Sequence, residues 1–207
     1  GMLCRHIVCV LPYCASCDAL ETLIINNSEN FKNLNKYKII NISGVDKPDL
    51  YKTPKEIKDT IKKYELEGEK TITLTVNRML TGSTVEEWDT MLYLKDTSSP
   101  QEYDQAIFRL QNQYIKTYID ENGNTIKINM KPQTLLVDFC PNRMFQMQEQ
   151  KSQIYNVNVD IAGNSKLHER ISEELRYSPI IVINKGLIAQ ITATDIIKAV
   201  SEYSKNR

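Results

Sequence analysis

The sequence predicts an α/β protein built on a mainly parallel sheet with helices on both faces. Three observations point there. Six short runs rich in β-branched residues recur along the chain, each nearly continuous in apolar residues rather than alternating. That is the pattern of strands covered on both sides. Helical patterns with clear start signals lie between them. Strands alternating with helices make βαβ units, whose right-handed crossovers require parallel pairing.

The expected strands are 7–11, 37–42, 71–76, 91–94, 134–139 and 179–183. A helical pattern follows the first of them over 18–25. Thr53-Pro54-Lys55-Glu56 is a capping box with proline at the first helical position, and Gly68 is placed to close that helix. Ile57, Ile61 and Tyr64 share one of its faces. Ser99-Pro100-Gln101-Glu102 gives the same start signal for a second helix, and a last one is expected from about 194 to 204. One interruption stands out. Residues 114–120 and 125–130 each alternate apolar with polar and flank Glu121-Asn122-Gly123-Asn124, which predicts a β-hairpin inserted into the domain. A Gln- and Asn-rich stretch over 142–164 marks the expected boundary between a core of residues 1–140 and a small C-terminal α/β extension, 141–207.

Composition narrows the function classes. The 207 residues are 41 % hydrophobic and 25 % charged, with a mean hydropathy of −0.41, ordinary values for a water-soluble globular chain. No apolar run approaches the ~20 residues that span a bilayer, so no membrane is expected and the reading is cytoplasmic. The Gly1-Met2 start reads as a cleavage scar. Lys+Arg 26 against Asp+Glu 26 leaves no net charge, so any DNA contact must come from a local patch. Charge is nonetheless uneven. Residues 31–63 carry nine Lys against four acids, whereas 85–105 carry six acids against Lys95 alone; each reads by itself as a solvated helix face. Five cysteines, an odd number, argue against a closed disulfide framework.

Residues 71–113, TITLTVNRMLTGSTVEEWDTMLYLKDTSSPQEYDQAIFRLQNQ, are the most informative segment. A strand leads to Thr81-Gly82-Ser83-Thr84, then a strand with acidic flanks, then a helix holding Gln105-Ala106-Ile107-Phe108-Arg109. Glycine after a strand lets backbone amides approach a phosphate or ribose. On the helix, Tyr103, Ala106, Ile107 and Leu110 form an apolar stripe, which puts Gln105, Arg109 and Asn112 on another side.

This plan resembles the second RecA-like (P-loop NTPase-like) lobe of superfamily 2 DNA helicases and translocases, of the kind found in restriction enzymes and phage defence. The resemblance continues through Met130–Phe139 and Pro141–Phe145. It implies an ATP-dependent helicase or translocase of a restriction-modification or defence system. The first RecA-like lobe of the same polypeptide would bind ATP and Mg²⁺, since this chain has no Gly-x-x-x-x-Gly-Lys-Ser/Thr loop and no Asp-Glu pair after an apolar strand. The fragment alone should therefore be inactive. By the resemblance, Arg109 is the arginine finger and Gln105 its companion, both catalytic, while Gly82 and Thr84 meet the nucleotide. Thr75, Asn77, Arg78 and Thr81 bind DNA, and 6–24 with its loop Pro12-Tyr13-Cys14 lies near the DNA backbone. No residue is assigned to a metal. A nuclease or methyltransferase domain is a further expected partner. The sequence departs from the family pattern at Thr84 (usually Asp), Phe108 (Gly) and Asn112 (a second Arg).

Three other readings rest on different residues. Cys14-x-x-Cys17 after a strand resembles a thioredoxin-like dithiol, with 178–182 as the facing proline segment. Cys4, Cys9, Cys14 and Cys17 form a second set, for zinc, although only the last two have knuckle spacing. A non-catalytic interaction domain is the third.

Overall fold

The computed structural model describes residues 3–45, 53–76, 85–97, 99–140, 143–145, 147 and 159–205, the side chains of 159–165, 200 and 203–205 excepted. The chain forms two compact units, Gly1–Phe139 and Cys140–Arg207.

In the first unit the elements run β1 (His6–Leu11), α1 (Cys14–Asn27), β2 (Tyr37–Asn41), α2 (Pro54–Leu66), β3 (Lys70–Val76), β4 (Thr90–Tyr93), α3 (Pro100–Leu110), β5 (Ile115–Ile119), β6 (Thr125–Asn129) and β7 (Leu135–Asp138). Five strands make one sheet in the order β2-β3-β1-β4-β7, and every pairing is parallel. The chain moves from β1 to β2 in one direction and from β2 back to β3 in the other. Right-handed crossovers then require α1 and α2 on opposite faces. Side chains obey the same rule. Ile7, Cys9, Leu11, Ile72 and Leu74 meet Cys17, Leu20 and Ile24 of α1. On the other face, the Tyr93 ring stands edge-on to Tyr103 of α3 at 4.9 Å, and the Trp88 indole N–H donates to Thr73 Oγ1 at 3.2 Å. Trp88 is buried (1 % exposed); cutting such a residue to alanine costs about 3–5 kcal/mol.

Helix ends follow the sequence signals. Thr53 and Glu56 complete the capping box of α2. Gly68 closes it at φ +76°, with Gly68 N–H donating to the Glu65 carbonyl and Glu69 N–H to that of Tyr64. This is a Schellman motif, in which the left-handed residue must lack a Cβ to avoid strain. Ser99 accepts from the backbone of Glu102 to cap α3.

The hairpin β5–β6 is antiparallel, with Ile115 opposite Asn129 and Ile119 opposite Thr125. Asp120 makes its turn by accepting from the backbone of Asn122 and Asn124 at 2.9 and 2.7 Å.

The second unit contains α4 (Val159–Tyr177), β8 (Ile181–Asn184), β9 (Leu187–Gln190) and α5 (Ala193–Lys205). The sixth expected strand is β8, and it joins no parallel sheet; it pairs antiparallel with β9. Ile171, Leu175, Ile180, Ala193 and Ile196 are its core. The 19-residue α4 begins within the last residues of the polar stretch 142–164, where Gly163 and Asn164, weak helix formers, hide its pattern in the sequence.

Candidate functional site

The strand order reverses beside β1, since the chain leaves β1 toward β2 but β4 toward β7. In open α/β sheets the ligand crevice lies outside the carboxyl ends of the strands at such a reversal. Here Tyr13, 72 % exposed, and the exposed Cys14 follow β1, and residues 94–97 follow β4. Glu102 on α3 draws those residues in, bonding Lys95 and accepting from Thr97 Oγ1 at 2.6 Å.

A side-chain network ties together the carboxyl ends of β2 and β3. Asp18 on α1 accepts from Val45 N–H at 2.8 Å and from Asn41 Nδ2 at 2.8 Å. Asn41 Nδ2 also donates to Glu21 at 2.9 Å, while its Oδ1 accepts from Ser43 N–H. Ser43 Oγ then accepts from Val76 N–H at 3.2 Å and lies 3.4 Å from Thr75 Oγ1. Gly44 threads between these groups, where a Cβ would stand 2.3 Å from Asp18 Oδ1 and 2.8 Å from Asn41 Nδ2. Even a methyl group there needs the network to shift.

Of the residues assigned by resemblance, the structure describes Thr75, Gln105 and Arg109. Thr75 is fully buried (0 % exposed) and donates to the Val76 carbonyl, so its hydroxyl shapes the strand end from inside. Gln105 is exposed and Arg109 half-buried; four residues apart on α3, they share one side. Tyr103, Ala106 and Leu110 form the buried stripe. Asn112 lies beyond the helix and donates to the Arg109 carbonyl at 3.1 Å. The helix runs back along β4, so Arg109 comes near the amino edge of the sheet, and Thr75 sits at the carboxyl edge. The structure does not gather these residues into one cluster. Asn77, Arg78, Thr81, Gly82 and Thr84 lie outside the described residues.

The amino edge is crowded with charge. Glu65 accepts from Arg5 Nη2 at 3.0 Å, Tyr114 Oη at 2.7 Å and Lys116 Nζ at 3.2 Å. Burial alone would raise its pKa, but the bonds from Tyr114 and Lys116 outweigh that and hold the carboxyl below its ordinary range. His6, buried and paired through Nδ1 with Thr71 Oγ1 at 3.0 Å, is pushed down by burial. Lys131 donates to the carbonyls of Trp88 and Leu110, each at 2.9 Å, and burial lowers its pKa to about 8. Asp89 accepts from the backbone of Arg5 and the hydroxyl of Thr90. The uneven charge read from the sequence is partly self-neutralised, because Lys58 and Lys62 of α2 meet Glu86 (2.9 Å) and Glu87 (3.9 Å). Sequence reasoning missed Asp18, Asn41, Ser43 and Glu65. A polar Asn-Ile-Ser-Gly ending on an apolar strand was the available signal for the first group.

The rival chemistries gain little from this geometry. Burial pushes the Cys9 and Cys17 thiols up to about 12, so neither is a thiolate at neutral pH. Among the described residues no three His, Cys, Asp or Glu side chains converge as a metal site, and no helix is long and apolar enough to cross a membrane.

No family model matches the chain. A Mycoplasma pneumoniae protein described as the C-terminus of a type II restriction enzyme and methyltransferase is 35 % identical over 112 residues. The match covers 54 % of this chain but only 15 % of that relative. Among solved structures, the Saccharomyces cerevisiae Dbp5 C-terminal domain bound to Gle1 and IP6 aligns over 85 % of both chains at 12 % identity and a TM-score of 0.36. A likeness that distant carries no argument about fold or function.

Proposed function

We propose that this chain is the second RecA-like lobe of an ATP-dependent, superfamily 2 DNA helicase or translocase acting in restriction-modification. The observation that carries the reading is the 35 % identity to a chain described as a restriction enzyme and methyltransferase. The reversed parallel sheet supports it, since it supplies the crevice such a lobe needs.

In this reading the lobe works through two surfaces. Gln105 and Arg109 of α3 would face a nucleotide held, with Mg²⁺, by the first lobe. The Arg109 guanidinium would meet the γ-phosphate there, and its planar fork would stabilise charge that develops as the phosphoryl group leaves. Asn77, Arg78 and Thr81 would contact DNA, with Thr75 shaping the end of β3, while Gly82 and Thr84 would meet the nucleotide. Closing and opening of the cleft would couple hydrolysis to movement along the strand.

The test is ATP hydrolysis by the longer polypeptide that carries both lobes, with and without duplex DNA. Hydrolysis stimulated severalfold by DNA, together with salt-sensitive DNA binding, is the expected result. An active protein indifferent to DNA, or one that binds DNA without hydrolysing ATP, contradicts the reading.

A further inference from the structure

The hairpin β5–β6 forms a two-stranded sheet of its own, and among the described residues no third strand joins either of its outer edges. Such a ribbon is at best marginally stable by itself. It is fastened at its base, where Tyr114 and Lys116 bond Glu65, while Ile115 and Ile119 stay exposed at 47 and 77 %. The two edges differ. Met130 N–H donates across to the Tyr114 carbonyl at 2.7 Å, and Asp120 N–H to that of Asn124 at 2.9 Å. Antiparallel ladders alternate, so Lys116 and Tyr118 also turn their main chain toward β6, while Ile115, Thr117 and Ile119 turn theirs outward. On β6 the outward residues are Thr125, Lys127 and Asn129. Natural sheets guard open edges with charge, lysine above all. Lys127 does so at the middle of β6, whereas no outward residue of β5 carries a charge.

We propose that β5 pairs with β5 of a second copy of this chain, making one four-stranded antiparallel sheet about a twofold axis through Thr117. Centred there, the pairing uses the whole strand. Thr117 exchanges main-chain hydrogen bonds with the partner's Thr117, and Ile115 with the partner's Ile119. The facing side chains are compatible throughout. Ile115 lies beside the partner's Ile119 on one face. On the other, Lys116 lies beside the partner's Tyr118, where a cation and a ring attract. The Lys116 charge is already matched by Glu65 at 3.2 Å. Moving the axis by one residue sets Lys116 or Tyr118 against its own copy and leaves part of the strand unpaired. Pairing β6 with itself about its middle would set Lys127 against Lys127, and like charges directly opposite are destabilising. Charge therefore selects β5 as the edge, and the match of β5 to its own reverse selects a second copy as the occupant. The proposal does not rest on the helicase reading.

A contact of one strand belongs to the small, transient interface class. In sedimentation, the 207-residue chain should therefore be monomeric at about 1 µM and largely dimeric at about 500 µM. Over that range, amide exchange at Ile115, Thr117 and Ile119 should slow about fivefold, with Thr125, Lys127 and Asn129 unchanged. Thr117→Lys sets two ammonium groups at the axis and should weaken the dimer about fivefold. Mixed with Thr117→Glu, it should form a heterodimer at least about fivefold tighter than its own homodimer. A chain that stays monomeric at about 500 µM, with exchange along β5 independent of concentration, overturns the proposal and leaves the edge to a strand of another protein or of the longer polypeptide. A dimer that keeps its strength in Thr117→Lys, or that protects the β6 amides instead, uses another surface and overturns it too. Association lost in Thr117→Lys and not regained with Thr117→Glu marks a damaged hairpin and overturns the register.

Discussion

The two edges of the five-stranded sheet treat polar groups in opposite ways. At the amino edge, Arg5, His6, Glu65, Asp89, Tyr114, Lys116 and Lys131 bond to one another or to backbone, and the hairpin is fastened there through Tyr114 and Lys116. Among the described residues of the carboxyl edge, one thread of side chains joins the ends of β2 and β3 and Glu102 gathers Lys95 and Thr97 after β4, while Tyr13 and Cys14 stand exposed. Burying a charge is costly unless hydrogen bonds offset it, and where they are missing, as at the two carboxylate oxygens of Glu87, burial pushes the carboxyl above its ordinary range. The amino edge therefore spends the charge of these residues on holding the fold together, whereas the described carboxyl ends of β1 and β2 are tied by fewer charged contacts.

The largest expected loss of stability comes from breaking the amino edge. Lys131→Ala leaves the Trp88 and Leu110 carbonyls without their donor and opens a cavity, at a cost of about 3–5 kcal/mol. Urea unfolding of the 207-residue chain measures it, and a loss under about 1 kcal/mol would mean that water replaces the ammonium freely. Gly44→Ala strikes the other edge at a smaller cost of about 1–3 kcal/mol, since the displaced atoms belong to side chains. Adding Asp18→Ala should return part of that loss, because the collision is with Asp18 Oδ1; strictly additive effects would show that Gly44 is merely a turn residue.

The third prediction concerns pH. Glu65 has its folded pKa below the unfolded value of 4.5, so the unfolded chain binds the proton first. Its contribution is complete above that value and is lost as pH falls through the folded pKa. The stability gap between wild type and Glu65→Gln should hold steady from pH 7 to about 5.5 and narrow below about 4.5. A gap independent of pH would place the stabilisation in packing rather than in the carboxylate.

The parallel sheet was legible because its strands are covered on both faces and so read as unbroken apolar runs. Thr53, Ser99 and Gly68 marked helix ends by local chemistry, and alternation exposed the hairpin. Less came through where meaning depends on distant partners. Lys131, an ordinary lysine in sequence, is buried by residues 21 and 43 positions away. Asp18 and Ser43 acquire a role only when α1, β2 and β3 converge. Residues 179–183 read as another buried strand, yet among the described residues β8 pairs antiparallel with β9 alone. Of the resemblance-based site, Gln105 and Arg109 fall on one side of α3 as the spacing required, and Thr75 turns inward.

The claim that this lobe completes an ATP-driven DNA motor is tested most directly at Arg109. DNA-stimulated ATP hydrolysis by the longer polypeptide should be compared between wild type and Arg109→Ala, with DNA affinity measured alongside. An arginine finger contributes on the order of 10³–10⁵ in kcat, so the account predicts a collapse of that size with DNA binding intact. Hydrolysis within a few-fold of wild type would contradict it and make Arg109 a surface residue of α3.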